Sequence, residues 1–315
     1  MNTRVRRRCS HGFTLIELMV AMVITAMIVG ILISITSLAM DAWQRSRSEV
    51  RAARQAKSML DAMAKDMESF VSRQGNTFEW LYAKAVTTMP GPVGGMGSAS
   101  ASASDVIFCT AATDRYNGQI GSASDKGGDI SCVAYKLVYQ DPMKDPTKGA
   151  TNSTSNDFST FAFYRKLVDP DKTFKDLLGQ TDLNSAFSSY QSTIVAPENF
   201  VCENIFQFDI TFHVNVTNAS SGKVESKTVT LGQSNPELHI RGNAVTSSSS
   251  SSATAMTVGG SPVTGVTAIS ISTTVLSDFA IDQMRKRKFS TADDKAKFIA
   301  KNGFHYVKDV TLPGT

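Results

Sequence analysis

The sharpest chemical question in the chain is posed by Glu17. It is the one ionisable side chain in the 28 residues from Phe13 to Met40, FTLIELMVAMVITAMIVGILISITSLAM, a run that also lacks proline. A carboxylate in a membrane-spanning helix costs about 2.5 kcal/mol or more at the bilayer centre and less near the interface, so it needs water or a partner. Two readings stand. In the first, Glu17 snorkels to the interface. In the second, the chain is cut after Gly12. Phe13 then carries a free α-amino group one helical turn from Glu17. If many such helices pack in register, the carboxylate of one neutralises the ammonium of its neighbour inside an apolar bundle.

Little else in the sequence suggests chemistry. Removal of the first twelve residues takes Cys9 and leaves Cys109, Cys132 and Cys202. There is no CxxC pair to hold zinc or run redox chemistry. A Cys109–Cys132 bridge is permitted in an oxidising compartment and would tie two neighbouring strands; buried thiols are the alternative, because spacing does not supply the geometry. His213, His239 and His305 form no HExxH or close pair, so no metal site is expected. The acids around Asp125–Asp129 and Asp141–Asp145 lack the spacing of a calcium loop. No phosphate-cradling glycine loop and no G-x-S-x-G turn is present. We therefore expect no catalytic residue, no cofactor and no enzyme. Of the 32 Lys and Arg residues, four (Arg4, Arg6, Arg7, Arg8) crowd the first eight positions, and the other 28 balance 28 acids. A basic face for nucleic acid is not expected.

The elements that must carry Glu17 follow from the pattern. A helix over residues 13–40 is about 42 Å long, enough to cross a hydrocarbon core of roughly 30 Å once. The run is too long for an ordinary secretory signal, and Ala-x-Ala does not close it. From Asp41 to Val71 glycine and proline are absent, while Ala53, Ala56, Leu60, Met63, Met67 and Phe70 recur at three and four. That spacing predicts an amphipathic continuation of the same helix, with Arg47, Arg51, Arg54 and Lys65 largely off its apolar face and Asp61, Asp66 and Glu68 as balancing acids. Beyond Gly75 the period changes to two. Strands are expected at 106–109, 133–139 and 161–165, and most clearly at Phe206–Thr217, where apolar and polar residues alternate. A last strand is expected through Ile269–Val275. One packed face and one wet face predict antiparallel sheets. Segments 94–104, 141–156, 169–199 and 244–265 read as polar loops, the last with six consecutive serines, and 94–104 and 244–265 as disordered Ser/Gly-rich insertions. Residue 174–178 suggests a short helical piece, and Ser290 with Asp293 a capping box for a helix that stops at Gly303.

Gly12 to Ala21, GFTLIELMVA, resembles the cleavage and methylation motif of type IV prepilins and of the pseudopilins of type II secretion. The resemblance implies that a membrane prepilin peptidase cuts at Gly12–Phe13 and N-methylates Phe13, and that Glu17 is the assembly residue. Many major pilins have a helix-kinking proline in the region occupied here by Ser34, which favours a minor subunit. The later order of elements is similar to the C-terminal half of J-type minor pseudopilins and to the Verru_Chthon cassette protein C family.

These readings combine into an α+β, pilin-like chain: a cleaved basic leader 1–12, a transmembrane and filament-core helix 13–40, an amphipathic extension 41–75, and a strand-rich head 76–315. The expected role is a structural minor pseudopilin or pilin-like subunit. Its expected partners are prepilin peptidase, other pseudopilins or pilins, and the bacterial inner membrane, with the head in the periplasm and the protein drawn into a filament. The alternative is a surface adhesin or binding module that uses the same anchor for display. The charge count is ambiguous about orientation, because Arg45, Arg47, Arg51, Arg54 and Lys57 lie beyond the other end of the apolar run. The resemblance decides it.

Overall fold

A computed structural model describes residues 14–73, 75–86, 91, 103–111, 129–143, 159–218, 221–232, 234–242, 244–247, 255–287, 289 and 291–313. The chain is α+β. Its first element, α1 (Leu15–Glu68), is a single helix of 54 residues with no break between the apolar and amphipathic halves. Contacts divide the chain into one unit ending at Glu49 and a second running Val50–Thr315.

In the second unit α1 supplies a packed face. Ala52, Ala56, Met59, Leu60, Met63, Ala64 and Met67 are all buried. Each large side chain on this stripe contributes roughly 1.5–3 kcal/mol by leaving water. The helix ends where its chain turns into sheet hydrogen bonding: Val71 N–H donates to the Cys109 carbonyl at 3.0 Å, and Phe70 bridges Thr110.

The strands are β1 (Glu79–Val86), β2 (Ala103–Thr110), β3 (Ser131–Gln140), β4 (Thr160–Val168), β5 (Phe200–Glu203), β6 (Ile205–Thr217), β7 (Val224–Thr230), β8 (Glu237–Arg241), β9 (Ala244–Thr246), β10 (Thr257–Val258), β11 (Ser261–Leu276) and β12 (Gly303–Thr311). One sheet runs β5-β4-β3-β2-β1-β8-β9. The other runs β10-β11-β6-β7, with β12 also paired to β11. Every pairing between named strands is antiparallel. The chain passes between sheets at Asn204, whose left-handed backbone (φ 65°) separates β5 from β6.

The facing surfaces of both sheets and the buried stripe of α1 share one core. Aromatic rings fill it: Phe161 meets Phe206 and Phe163 meets Phe208 edge to face, at 5.4 and 5.1 Å between centroids. The far face of the larger sheet has a second core, around Tyr164, Leu177, Leu183 and Phe187. It is covered by a π-helical turn (Thr173–Leu177) and two short helices, α2 (Leu183–Ala186) and α3 (Ser188–Ile194). Two further helices, α4 (Asp278–Lys286) and α5 (Ala292–Asn302), lie between β11 and β12.

Several expectations are revised. Segment 169–199 is not a loop but the helical cover of the second core. The region 244–265 contains β9, β10 and the start of β11, while residues 248–254 lie outside the described residues. The strand through 269–275 is not the last; β12 follows. The cap of α5 is Thr291, whose hydroxyl accepts from Asp294 N–H at 3.1 Å, one place beyond the expected Ser290. Asp66, read as a balancing acid, is buried.

Candidate functional site

Gly12 and Phe13 lie outside the described residues. The site therefore begins at Thr14. Thr14 and Glu17 form a reciprocal cap: Thr14 N–H and hydroxyl both donate to Glu17 Oε2 at 2.9 Å, and Glu17 N–H donates to Thr14 Oγ1 at 3.3 Å. This is the S/T-x-x-E capping box, which satisfies two otherwise orphaned donors at a helix start. The reading of Glu17 by its distance from Phe13 overlooked Thr14, although Thr-x-x-Glu is legible in the sequence.

Every residue from Thr14 to Arg47 is exposed, including Leu15, Ile16, Ile24, Leu32 and Leu38. An uncovered apolar surface of this size marks a partner or a membrane. Among the described residues, α1 is the one helix long and apolar enough to cross a bilayer. Three of its hydroxyls are already satisfied within the helix. Thr25, Ser34 and Thr36 donate to the carbonyls of Ala21, Gly30 and Leu32 at 2.8, 3.0 and 2.7 Å. They can thus enter hydrocarbon without an unpaired donor. The helix runs on through Ser34 unbroken. Just past the apolar run, the Arg47 guanidinium lies 5.5 Å from the Trp43 ring centroid. Tryptophan and arginine at this point suit a lipid–water boundary.

The family model for the prokaryotic N-terminal methylation motif matches residues 7–33. The N-terminal segment is that of the type IV prepilin and pseudopilin family. Comparison with curated proteins and with solved structures returned no match. Proteins with the prepilin motif are substrates of prepilin peptidase, are anchored by one apolar helix, and assemble with other pilins.

The rest of the prepilin-like chain holds its helix with polar ties. Arg165 clasps the Asp66 carboxylate with Nε and Nη2, both at 2.6 Å, and Tyr135 hydroxyl donates to the same carboxylate at 2.5 Å. Burial opposes the charge on Arg165, but the Asp66 hydrogen bonds and the neighbouring Tyr135 outweigh it and raise the guanidinium's pKa. Arg51 bridges Glu203 at 2.9 Å and Asp278, and Lys308 donates to Asp61 at 2.7 Å. His239, fully buried, shares its Nδ1 with Glu79, whose other oxygen accepts from Leu183 N–H at 2.6 Å and so anchors α2. His213 contacts the Ser270 hydroxyl, which donates to Asp309. The hydroxyl sits between imidazole and carboxylate rather than beside a base that a carboxylate orients, so the row is not a nucleophilic triad. His305 is exposed on β12. No group of three metal-binding side chains occurs among the described residues. Cys109, Cys132 and Cys202 are buried free thiols.

Proposed function

We propose that this protein is a structural, non-enzymatic minor pseudopilin or pilin-like subunit of a type II secretion or type IV pilus-like machine. Prepilin peptidase removes residues 1–12, cuts at Gly12–Phe13 and methylates Phe13. The mature chain stays in the bacterial inner membrane through α1 with its head in the periplasm. It then enters a filament by packing α1 against the helices of other subunits. Glu17 answers the amine of a neighbour's Phe13 during that step. The J-type or Verru_Chthon-like subtype is a narrower form of the same proposal.

One observation carries this reading. The methylation motif ends in a helix whose apolar surface is exposed from Thr14 to Arg47 and whose first acid, Glu17, sits in the first turn. The test is the mass and N-terminal sequence of protein recovered from the membrane of its native host. The expected product begins at N-methylated Phe13. A product that begins at Met1, or at any other residue, overturns the proposal.

The alternative, a binding module displayed on this anchor, has one feature in its favour. A cavity of about 200 Å³ lies between the larger sheet and the helices α2 and α3, lined by Tyr82, Lys84, Asp105, Lys136, Asn184 and Gln191. Burial holds the Asp105 carboxyl above its ordinary range, and its Oδ1 makes no hydrogen bond. Binding of a ligand by the head alone, with no other pilin present, would favour that alternative.

A further inference from the structure

Cys109 on β2 and Cys132 on β3 are directly paired in the antiparallel register. Their main chains point away from each other. The Cys109 carbonyl accepts from Val71 N–H at 3.0 Å, on the side of β2 away from β3. The Cys132 N–H donates to Thr173 Oγ1 at 3.0 Å, on the opposite side of β3. In an antiparallel ladder each residue's N–H and C=O point to the same side. Cys109 and Cys132 therefore form a non-hydrogen-bonded pair, the class in which facing Cα atoms approach to about 4.5 Å and side chains lie closest. That separation falls within the Cα range of disulfides, about 4.4–6.8 Å. The register also puts the two side chains on the same side of the sheet. Cys202 is placed differently. Its register partner on β4 is Phe163.

We propose that Cys109 and Cys132 are a structural disulfide, and that Cys202 remains a thiol. The step is thiol–disulfide exchange with a protein or small-molecule disulfide. One thiolate attacks the oxidant's disulfide to give a mixed disulfide and release one thiol. The second thiolate then displaces the other thiol. Two cysteine thiols are oxidised to one S–S bond, one external disulfide is reduced to two thiols, and the two protons end on those thiols. That such an oxidant meets the pair in the cell rests on the reading above, which puts the head outside the cytoplasm.

The position gives the bond a consequence. Thr110, next to Cys109, donates its hydroxyl to the Asp66 carbonyl of α1 at 2.8 Å, and Phe70 bridges the same residue. A staple here fixes the strand end on which the last turn of α1 rests. It also dictates timing. Both thiols are buried, and burial together with the Cys109 sulfur pushes the Cys132 thiol up. The thiolate needed for exchange is thus scarce once the core has closed. Oxidation belongs to the stage when β2 and β3 have paired but their core face is still open.

The test uses the full-length chain in detergent, refolded in a glutathione/oxidised-glutathione buffer, alkylated under denaturing conditions and mapped by mass spectrometry without reduction. The expected result is one linked peptide pair, Cys109–Cys132, with Cys202 and Cys9 alkylated. The oxidised protein should melt on the order of 10 °C above the reduced one, from closure of a loop of about 24 residues. Cys202→Ser should change neither result, and the Cys109→Ala, Cys132→Ala double variant should melt alike in both buffers. Alkylation of Cys109 and Cys132 after oxidative refolding, a bridge from either one to Cys202, or equal melting of oxidised and reduced wild type would each overturn the proposal. None of these outcomes depends on leader cleavage, so the processing reading stands or falls separately.

Discussion

At the scale of single residues, Glu17 has two partners to choose between. In the chain alone its carboxylate is held by Thr14. In the proposed filament it faces a neighbour's amine. The two roles separate chemically, because glutamine also serves at the third position of a capping box but carries no charge. Glu17→Gln should therefore keep the helix start and membrane insertion, yet lose incorporation as fully as Glu17→Ala. Crosslinking to partner subunits, or recovery in sheared filaments, measures this. Normal incorporation of the glutamine variant would remove the charge argument. Two further acids give opposite pH signatures. Lys308 hydrogen-bonds Asp61 and holds its carboxyl below the ordinary 3.8. Its contribution is present above that value and is lost as pH falls through the lower, folded one. Asp105 is shifted up, chiefly by burial, with Lys136 and Lys84 acting against the shift. Its folded form binds a proton more readily than its unfolded form, so its ionisation costs stability near neutrality, and that cost lifts as pH falls through the raised value. Asp105→Asn should accordingly raise the melting temperature at pH 7 and leave it unchanged near pH 3, while Lys308→Met should lower it at pH 7 and by progressively less as pH falls below 3.8. Thermal melts across pH read both.

At the scale of elements, burial ranks the ties between α1 and the rest of the head. The Arg51 contacts lie at the surface, with the arginine side chain 54% exposed. Exposed pairs contribute about 0–1 kcal/mol. The Asp66–Arg165 pair is within the core, and removing one partner of such a pair costs about 3–5 kcal/mol, because the other charge stays buried. Asp66→Ala should lower the melting temperature by on the order of 10 °C, and Arg51→Ala by no more than about 4 °C. Equal effects would mean that the buried clasp is not what holds the helix. Asp66 also shows where the sequence was mute. It lies in a stretch with Lys65 and Glu68 at the hydrophilic end of a helical stripe, and only the distant Arg165 and Tyr135 reveal it as a core residue. The strand β6 was plain because one side is packed and the other wet, which produces its alternation. Central β1 has a packed core on each side, so EWLYAKAV does not alternate and was not recognised. Helices α2 and α3 were hidden in a polar stretch because they are short. Their burial rests on Leu183, Phe187 and Ile194, with too few turns for a period to show.

At the scale of the whole molecule, the long apolar N-terminal run and the change of period beyond Gly75 separate an anchor from a folded head, and the sequence carries both signals. The stripe of Ala56, Leu60, Met63, Met67 and Phe70 also marks how far the head reaches back along α1, and only its first member shifts, from Ala53 to the buried Ala52. The compact second unit starts at Val50, and its main core needs Ala52, Ala56, Met59, Leu60, Met63 and Met67. A boundary placed at residue 76 would strip that stripe away and leave the facing surfaces of two sheets without their helix. This gives a direct prediction. A chain of residues 50–315 should be soluble without detergent, monomeric by size exclusion and cooperative in its thermal unfolding. A chain of residues 76–315 should aggregate or show no cooperative transition, since the eight buried apolar side chains from Ala52 to Phe70 and the Asp66 partner of Arg165 are gone. The three methionines alone contribute about 5–9 kcal/mol by their burial, comparable with the entire net stability of roughly 5–15 kcal/mol typical of a folded protein. A shorter chain that folded as cooperatively as the longer would show that the sheets close on each other without α1, and the helix would then be an anchor laid on a finished head rather than part of its core.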